Sequence, residues 1–396
     1  MKVLFFFLPL ENICLTYVDM INIKEVKTDK DLKDFINLNY SLYKGNDYAV
    51  PELMDDLLTT FSKAKNPAYE FSESRLFLAF DSNGKVVGRV AAIINHKANE
   101  TWGIRKVRFG WIDFVDDFQV SSSLISAVEQ WGREKGMDSI QGPMGFTDMD
   151  HEGMLIEGFD ELSTSATIYN YPYYKTHLEA LGFDKEADWV EYSLKVPEKV
   201  PEKLTRIAEI VKQKYDLHLA PRNMSTKSFL AKYGSGFFSC VNEAFKPLFG
   251  YSEITERQKT EYLKMYSSLL DRNLLSVVLD KDDRVVGCGA AMPSMSRALQ
   301  KSRGKMFPFG WWHLIKALKW KHSETADLLL AAVIPEYQGK GVNAIFVSDI
   351  VSQLIIGGYR QVESNVELET NSKIQSQWNY FEHRQHKRRR CYTKKL

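Results

Sequence analysis

The sequence has no apolar run long enough to cross a membrane. Its most hydrophobic stretch, Val3 to Leu10, has eight residues, whereas a transmembrane helix needs about 20. Glu11 and Asn12 end this stretch, and no small-residue cleavage site follows it. We therefore expect residues 1–19 to be an appendage that precedes Met20, and not a secretion signal.

Cysteine is scarce, and no charge sign is in excess. The four cysteines are far apart and show neither CxxC nor Cys/His ligand spacing. This argues against a disulfide framework or a metal site, so we expect free thiols in a reducing cytoplasm. With 52 basic and 51 acidic residues the net charge is +1, which excludes a global attraction to nucleic acid or to an anionic membrane.

The length of 396 residues suggests two domains, and an internal repeat defines them. The segment from Arg75 to Ala92 aligns without a gap with the segment from Leu274 to Ala291, at an offset of 199. Both are predicted β-hairpins: an apolar strand, a turn rich in Asp, Asn or Gly, and a second strand that carries Val-Val-Gly. The chain is therefore expected to use one fold twice.

The elements after each hairpin also correspond. In the first half they are a strand, a helix and a strand, and in the second half the same three types follow one another. This order predicts an α/β (α+β) fold with a mixed, mostly antiparallel sheet in each half. The predicted ranges are 109–115, 122–135 and 139–144 in the first half, and 328–334, 343–356 and 361–368 in the second.

A duplicated Pro/charge stretch, Val196 to Lys203, is typical of a linker. We expect a first domain over 20–196, a linker over 197–204 and a second domain over 205–396. Each is predicted to open with a helix, Asp29 to Tyr43 and about Pro201 to Tyr215.

A glycine-rich turn joins the strand ending at Ile334 to the next helix, and it reads Gln338-Gly339-Lys340-Gly341-Val342-Asn343. Successive backbone N–H groups in such a turn point into one concavity, and the helix dipole adds positive potential. Glycine lets the backbone approach a ligand closely. The turn is therefore predicted to bind a pyrophosphate, although an ordinary glycine turn has the same composition.

This turn resembles the acyl-CoA loop of the GNAT superfamily of N-acyltransferases, in which Gln or Arg, two residues, Gly, one residue and Gly or Ala follow one another. Gln338, Gly341 and Asn343 occupy those places, and Asn343 replaces a small residue. The resemblance implies two tandem GNAT-like domains. It also implies an acyl-CoA or acetyl-CoA co-substrate whose thioester lies between two splayed strands, polarised by a backbone N–H near Ala332 or Val333.

The first half departs from the pattern at the corresponding place. Matching Gly136 with Gly358 puts Asp116, Asp117, Phe118 and Gln119 where the glycine-rich turn lies in the second half. Two carboxylates without a glycine would repel a pyrophosphate. We therefore expect the first half to keep the fold, to lack CoA binding and to shape the acceptor pocket.

Candidate catalytic residues follow the helix that begins after the glycine-rich turn of the second half. The stretch from Val362 to Glu369 alternates apolar and polar residues, and Glu367 is our candidate for the proton acceptor of the attacking amine. A helix is expected from Ser372 to Glu382. The resemblance implies that Tyr380 on it protonates the leaving thiolate, although counting from Asn371 reaches Trp378 instead.

A polar cluster in the first half, from Gln141 to Gly153, follows the strand that corresponds to 361–366. Asp148, His151 and Glu152 are candidates for orienting an acceptor amine or for acting as base. An ordinary surface turn has the same composition.

The second half has about 23 extra residues before its loop strand, around Met306 to Lys321. Helical spacing puts Trp311 on an apolar face with Leu314, Ile315 and Leu318, away from nearby lysines. Such a helix is typical of a membrane interface, where the acceptor would be a lipid amine, or of a lid packed on the core. The chain also loosely resembles bacterial GNAT enzymes that acylate long-chain bases.

The C-terminal run from Arg384 to Lys395 holds seven Arg and Lys residues, and we expect a solvated terminal strand. The sequence therefore predicts an acyl-CoA-dependent N-acyltransferase without a metal, acting on a small-molecule or lipid amine. We expect it in the cytoplasm, with peripheral contact to the inner membrane face. The alternatives are a non-catalytic CoA-binding module and a regulator that binds nucleic acid through the basic run.

Overall fold

The computed structural model describes residues 21–267, 269–320 and 323–396. The expected appendage over 1–19 therefore lies outside the described residues. The described residues form one sheet of 14 strands. In chain order the strands are β1 (Asn22–Glu25), β2 (Ser72–Phe80), β3 (Val86–Asn95), β4 (Lys106–Phe114), β5 (Ser139–Gly142), β6 (Met154–Glu157), β7 (Asp184–Lys195), β8 (His218–Leu219), β9 (Leu275–Leu279), β10 (Val285–Pro293), β11 (Thr325–Val333), β12 (Gln361–Glu363), β13 (Glu367–Leu368) and β14 (His383–Lys395).

Helices cover the faces of this sheet. None of the helices in the described part of the chain combines the length and apolar character that crossing a bilayer requires. The helices of the first half are α1 (Asp29–Leu42), α2 (Met54–Thr60), α3 (His96–Trp102), α4 (Phe118–Glu134) and α5 (Tyr173–Ala180). Those of the second half are α6 (Glu202–Tyr215), α7 (Thr226–Phe245), α8 (Glu256–Tyr266), α9 (Ser296–Ser302), α10 (Gly310–Ile315), α11 (Asn343–Ile356) and α12 (Ser372–Gln375).

The predicted repeat is confirmed. Strands β2 and β3 form one hairpin, and β9 and β10 form the other. Each hairpin is followed by an antiparallel strand, a helix and a parallel strand, namely β4, α4 and β5 in the first half and β11, α11 and β12 in the second. The predicted fold class, a tandem α/β arrangement with mixed sheets, is therefore correct.

The two halves are joined into one sheet because they exchange their last strands. The spatial order is β1-β2-β3-β4-β5-β14-β7-β12-β11-β10-β9-β8. Strand β14, from the end of the chain, pairs with β5 of the first half, and β7 of the first half pairs with β12 of the second. The division of the sequence near residue 200 is therefore not a division of the sheet.

The C-terminal basic run forms β14, which lies between β5 and β7, so the expectation of a solvated terminal strand was wrong. The side chains of Lys387 and Arg389 are 0% exposed, and each pairs with Glu191 of β7. Arg388 and Arg390 both pair with Asp188, also on β7. Charges that are buried in this way are stable only with such partners.

Two predicted elements are shorter than expected. The strand expected over 361–368 is interrupted, because β12 ends at Glu363 and β13 contains only Glu367 and Leu368. The helix expected from Ser372 to Glu382 ends as α12 at Gln375, and a 3₁₀ segment, Ser376–Tyr380, follows it. Both interruptions lie beside the cleft described next.

Candidate active site

The cleft of the second half begins where β11 and β12 separate. These parallel strands pair only at Thr325–Asp327 with Gln361–Glu363. Beyond those pairs the chains diverge, and a cavity of about 240 Å³ opens between them. We call this cavity the cleft. Its walls include Leu328 to Ala331 of β11, Phe346, Val347 and Ile350 of α11, Asn365 to Leu368, and Trp378.

Beyond Asp327, β11 has no strand partner among the described residues on the side where the strands diverge, although Leu329 O accepts from Asn365 Nδ2 at 2.8 Å and Val333 O from Gln338 Nε2 at 2.9 Å. Ile334 N donates to Val286 O at 3.1 Å on the β10 side, so strand alternation turns Ala332 toward β10 as well and Val333 away from it. Of the two N–H groups expected to polarise a thioester, only that of Val333 therefore faces away from β10. An open strand edge of this kind can pair with the amides of an extended ligand.

The glycine-rich turn lies at the N-terminus of α11, one helical turn before Val347 of the cleft. Among the described residues, no backbone acceptor is bonded to the N–H groups of Gly339, Gly341, Val342 or Asn343. Four N–H groups at the start of a 14-residue helix therefore remain available to an anion. Gln338 closes the turn by donating from Nε2 to Val333 O at 2.9 Å.

Glycine is required at position 341 for two reasons. Its φ of +82° lies in the left-handed region, and a Cβ there would lie 3.2 Å from Val211 Cγ2 on α6. The neighbouring Lys340 lies over the rings of Tyr215 and Tyr337, 5.3 Å and 5.0 Å from their centroids. Lys340 has no carboxylate partner in the described part of the chain, so its charge adds to the positive end of the helix.

The first half has no such turn. Asp117 precedes α4 and accepts from Gln119 N at 2.8 Å, so the protein's own carboxylate occupies this helix N-terminus. Asp116 lies 3.0 Å from His177 Nε2. A phosphate would meet two negative charges here, which agrees with the expectation from the sequence.

The first half also lacks the divergence of strands. Met144 N, just beyond β5, donates to Phe109 O of β4 at 2.9 Å, so the two strands stay connected. A Cβ on Gly110 would lie 2.4 Å from Met144 O, which shows how closely the two segments pack. The guanidinium of Arg108 fills the adjoining space and donates to Gly145 O at 3.1 Å.

Glu367, the expected catalytic carboxylate, lines the cleft. Trp378 donates from its indole nitrogen to both carboxylate oxygens, at 3.0 Å and 3.2 Å. Burial raises the pKa of Glu367 to about 8, and the hydrogen bond from Trp378 offsets this only in part. Glu367 is therefore mostly protonated at neutral pH.

Tyr380, expected to donate to the leaving thiolate, is absent from the residues that line the cleft. Its ring lies 5.6 Å from Lys203 Nζ and packs against the core of the second half. The segment Ser376–Tyr380 is a 3₁₀ helix where an α-helix was expected, so different residues share one face. Trp378 lines the cleft in place of Tyr380. The residue reached by counting from Asn371 is thus the one that meets Glu367.

Asp148 and Glu152, from the first half, lie where the cleft meets a second cavity. Asp148 Oδ1 and Glu152 Oε2 are shielded from solvent and have no hydrogen-bond partner in the described part of the chain. Burial raises the pKa of both carboxyl groups. Asp148 raises the pKa of Glu152 further, and Asp150 raises the pKa of both, because like charges repel. The cation of Arg108 acts in the opposite direction.

The second cavity has a volume of about 300 Å³ and is mostly apolar. We call it the apolar cavity. It lies on the α7–α8 side of β10 and β11, whereas α11 borders the cleft. Its walls include Phe229, Leu230, Phe237, Phe238, Leu263, Leu275, Met292, Met295 and Leu299, with Asp148 and Glu152 at the end shared with the cleft.

The other two expected acceptor residues, His151 and Trp311, do not line the cleft. His151 lines the apolar cavity, but its ring contacts Ser165 O at 3.1 Å and Glu52 Oε1 at 3.5 Å. Trp311 is 37% exposed and donates to Pro308 O, so it does not reach the cleft. Sequence reasoning missed Arg108, whose only signal was a cation directly before the strand predicted over 109–115.

The fold recurs in solved structures. A tandem GNAT protein from the clavulanic acid biosynthesis pathway superposes with a TM-score of 0.56, over 95% of this chain and 98% of that chain, at 12% identity. The chain has the GNAT fold, twice over. A GCN5-related N-acetyltransferase from Sphaerobacter thermophilus superposes at a TM-score of 0.50 and 10% identity, over 95% of both chains.

Comparisons of sequence add two relatives of this tandem GNAT chain. Protein YghO from Escherichia coli (strain K12) is 26% identical over 371 residues, which is 92% of this chain and 93% of the relative. Bacterial ceramide synthase from Caulobacter vibrioides (strain NA1000 / CB15N) is 26% identical over 320 residues, 79% of this chain and 80% of that protein. No protein-family model matches the chain.

Proposed function

We propose that this protein is an N-acyltransferase that moves an acyl group from acyl-CoA to a primary amine. The observation that carries the proposal is the position of the glycine-rich turn. Its free N–H groups lie at the start of α11, and one turn later Phe346 and Val347 of this helix line the cleft. Asp148 and Glu152 of the first half and Glu367 of the second half line the same cleft. A diphosphate at the turn would let the rest of an extended donor follow the open edge of β11 into that cleft.

The residues present fit such a donor. The N–H groups of Gly339, Gly341, Val342 and Asn343, together with Lys340, supply positive potential for the pyrophosphate. The edge of β11 without a strand partner offers hydrogen bonds to the amides of the pantetheine arm, except at Leu329 O and Val333 O, which accept from Asn365 and Gln338. The N–H of Val333 is a candidate partner for the thioester oxygen.

Acceptor and donor would approach from opposite faces of the sheet. An ammonium group at the shared wall would meet Asp148 and Glu152, and its proton would pass to this pair. The free amine attacks the thioester carbon, a C–N bond forms and the C–S bond breaks. The protonated Glu367 gives its proton to the leaving thiolate and then takes the second proton of the amine. The products are an amide and a free thiol, and the proton held by the pair passes to solvent.

The class of amine follows from the apolar cavity. Carboxylates at one end and a wall of Phe, Leu and Met suit a primary amine that carries a long apolar chain. The relative named bacterial ceramide synthase supports the choice of a lipid or long-chain-base amine. Such an acceptor is met at a membrane, so peripheral contact with the inner membrane face is part of the proposal.

A thiol-release assay with the full chain tests this function. We expect free thiol and an amide product only when an acyl-CoA and a long-chain primary amine are both present, with rates that rise with amine chain length. Coenzyme A alone should raise the melting temperature, because a ligand of the folded state stabilises it. Stabilisation without thiol release would indicate a binding module. No stabilisation by millimolar coenzyme A would contradict the donor site.

A further inference from the structure

Every charged residue in the insertion of the second half is basic. Residues 284 to 323 contain no Asp or Glu. Within the described stretch 296–320 lie six cations that form no ion pair with any carboxylate of the described residues: Arg297, Lys301, Arg303, Lys305, Lys316 and Lys319. Over the whole chain, by contrast, 51 Asp and Glu residues balance 52 Lys and Arg residues. A partner of this surface should therefore carry negative charge.

One face of the insertion is already packed. Leu314 of α10 is 6% exposed and contacts a small core that includes Met292, Met295 and Leu299. The backbone of the insertion is also tied to the first half, because Met54 N donates to Gly304 O at 2.8 Å. The inner face of the insertion therefore already packs against the protein's core, and the outer face is not needed for that packing.

The outer face is aromatic and exposed. Phe307 is 78% exposed, Phe309 72% and Trp320 60%. Trp312, itself 44% exposed, contacts the ring of Trp311 at 5.9 Å and that of Trp320 at 4.8 Å. The three tryptophan rings therefore form one connected cluster. Together with Phe307 and Phe309, which lie just before it in the chain, we call it the aromatic face. This disagrees with a lid that buries Trp311 and Ile315, since both remain more than a third exposed.

We propose that the aromatic face docks this protein on a membrane that contains anionic lipid. Phe and Trp side chains partition into the headgroup region, and flanking Lys and Arg are attracted to acidic headgroups. A second copy of the chain fits the charge less well, because a two-fold contact through this face would bring two sets of unpaired cations together. The docking itself is independent of acyl transfer.

Docking would place a large cavity at the lipid surface. A cavity of about 980 Å³ opens beside the aromatic face, and Phe307, Phe309 and His313 form part of its wall, with Trp111 and Asn39 of the first half deeper inside. Glu52 and His151 line both this cavity and the apolar cavity, and only the passage of the acceptor from one to the other rests on the proposed function. A protein that binds vesicles but releases no thiol would keep the docking surface and remove the enzyme.

Vesicle co-sedimentation of the full chain tests the proposal. The vesicles are phosphatidylcholine with about 30% phosphatidylglycerol, and phosphatidylcholine alone. We expect wild type to sediment with the anionic vesicles and at least about fivefold less with the neutral ones, since each basic residue near an anionic surface adds attraction. The double substitution Phe307→Ser with Phe309→Ser should reduce binding about tenfold or more, and Lys316→Gln with Lys319→Gln should reduce binding to the anionic vesicles alone.

Ile356→Ser is the matched control, because Ile356 is 74% exposed at the end of α11, outside the aromatic face. It should bind vesicles as wild type does. Melting temperatures of all variants, with and without coenzyme A, show that the fold and the donor site are intact. The proposal fails if wild type ignores anionic vesicles, or if the Phe double variant binds them as well as wild type does. It also fails if wild type is a dimer that this variant makes monomeric, or if single-stranded RNA is bound through this face in place of lipid.

Discussion

The two halves follow the same chain path, yet among the described residues only the second combines diverging strands with a helix N-terminus that no side chain caps. In the second half β11 and β12 diverge and the following helix begins with free N–H groups. In the first half the chain after β5 stays bonded to β4, and Asp117 caps the helix. The comparison teaches that an anion site in this fold depends on a few residues at one turn, while the packing of the hairpins and helices is unaffected.

The first half contributes to the cleft in another way. The segment after β5 carries Asp148 and Glu152 to the wall shared by the cleft and the apolar cavity. In the proposed function the duplicated fold would divide the task, because one copy would hold the donor and the other would supply carboxylates for the acceptor. Each of the following predictions separates the two halves or tests their dependence on each other.

The largest effect is expected from Glu191→Gln, which removes two ion pairs between the exchanged strands β7 and β14. Glu191 on β7 accepts from Arg389 Nε of β14 at 2.5 Å and from Lys387 Nζ at 3.2 Å, and all three side chains are fully buried. Without the carboxylate two cations stay buried, so the free energy of unfolding should fall by about 3–5 kcal/mol. Urea denaturation measures the loss.

Glu382→Gln is the control for that loss, since Glu382, just before β14, pairs with Lys195 of β7 and both side chains are more than two-thirds exposed. A surface pair of this kind contributes no more than about 1 kcal/mol. Equal losses in both variants would mean that the buried pairs of β7 and β14 do not hold the halves together.

The next effect concerns the carboxylates of the first half. Asp148→Asn and Glu152→Gln should each lower kcat/KM for a primary amine about 100-fold to 1,000-fold, because a positioned base contributes that order of rate. Stabilisation by coenzyme A should be unchanged. Glu157→Gln, at an exposed carboxylate of the nearby strand β6, should leave the rate unaltered. If Asp148→Asn instead abolished the response to coenzyme A, the pair would belong to the donor site.

A third substitution tests the turn that distinguishes the halves. Gly341→Glu adds negative charge and a side chain at a φ of +82°, and it should weaken coenzyme A binding about 100-fold, equivalent to about 2.7 kcal/mol. Gln119→Glu places the same charge at the matching position of the first half and should change nothing. Melting curves with increasing coenzyme A measure both, and a similar loss for Gln119→Glu would reveal a donor site in the first half.

The smallest effect is a pH dependence at Glu367. Its pKa of about 8 in the folded protein lies above its ordinary value of 4.5, so the protonated form is the stable one. The stability contributed by burial is present below pH 4.5 and is lost as pH rises through 8. Glu367→Gln should therefore raise the melting temperature at pH 8.5 relative to wild type and have little effect at pH 4.5.

Glu367 should also set the alkaline limit of turnover, which is the pH above which kcat falls. If Glu367 donates its proton, kcat should fall above about pH 8, and Glu367→Gln should lower kcat roughly tenfold or more and remove that limit. Trp378→Phe removes a hydrogen bond that lowers the pKa of Glu367, so its limit should move to higher pH. A rate that rises through pH 8 in wild type would instead make Glu367 the base, as the sequence alone suggested.

Much of the fold was predictable from local pattern. The aligned hairpins, the glycine-rich turn and the start of α11 at Asn343 depend on alternation, turn residues and helix signals that lie close together in the chain. The contrast between Gly341 and the Asp116–Asp117 pair was also visible, because charge at a helix N-terminus acts locally.

Tertiary structure alone decided the rest. Seven cations in the last residues look like a solvated tail until Glu191 and Asp188, about 200 positions earlier, are brought alongside them. The resemblance to the GNAT superfamily implied Tyr380, and counting from Asn371 reached Trp378, until a 3₁₀ segment put Trp378 against Glu367. Asp148 and Glu152 stand in a loop of the first half, and only long-range packing places them beside a cleft of the second. Local residue patterns determine strands, turns and caps, whereas the partners of a buried charge depend on which distant strands pair.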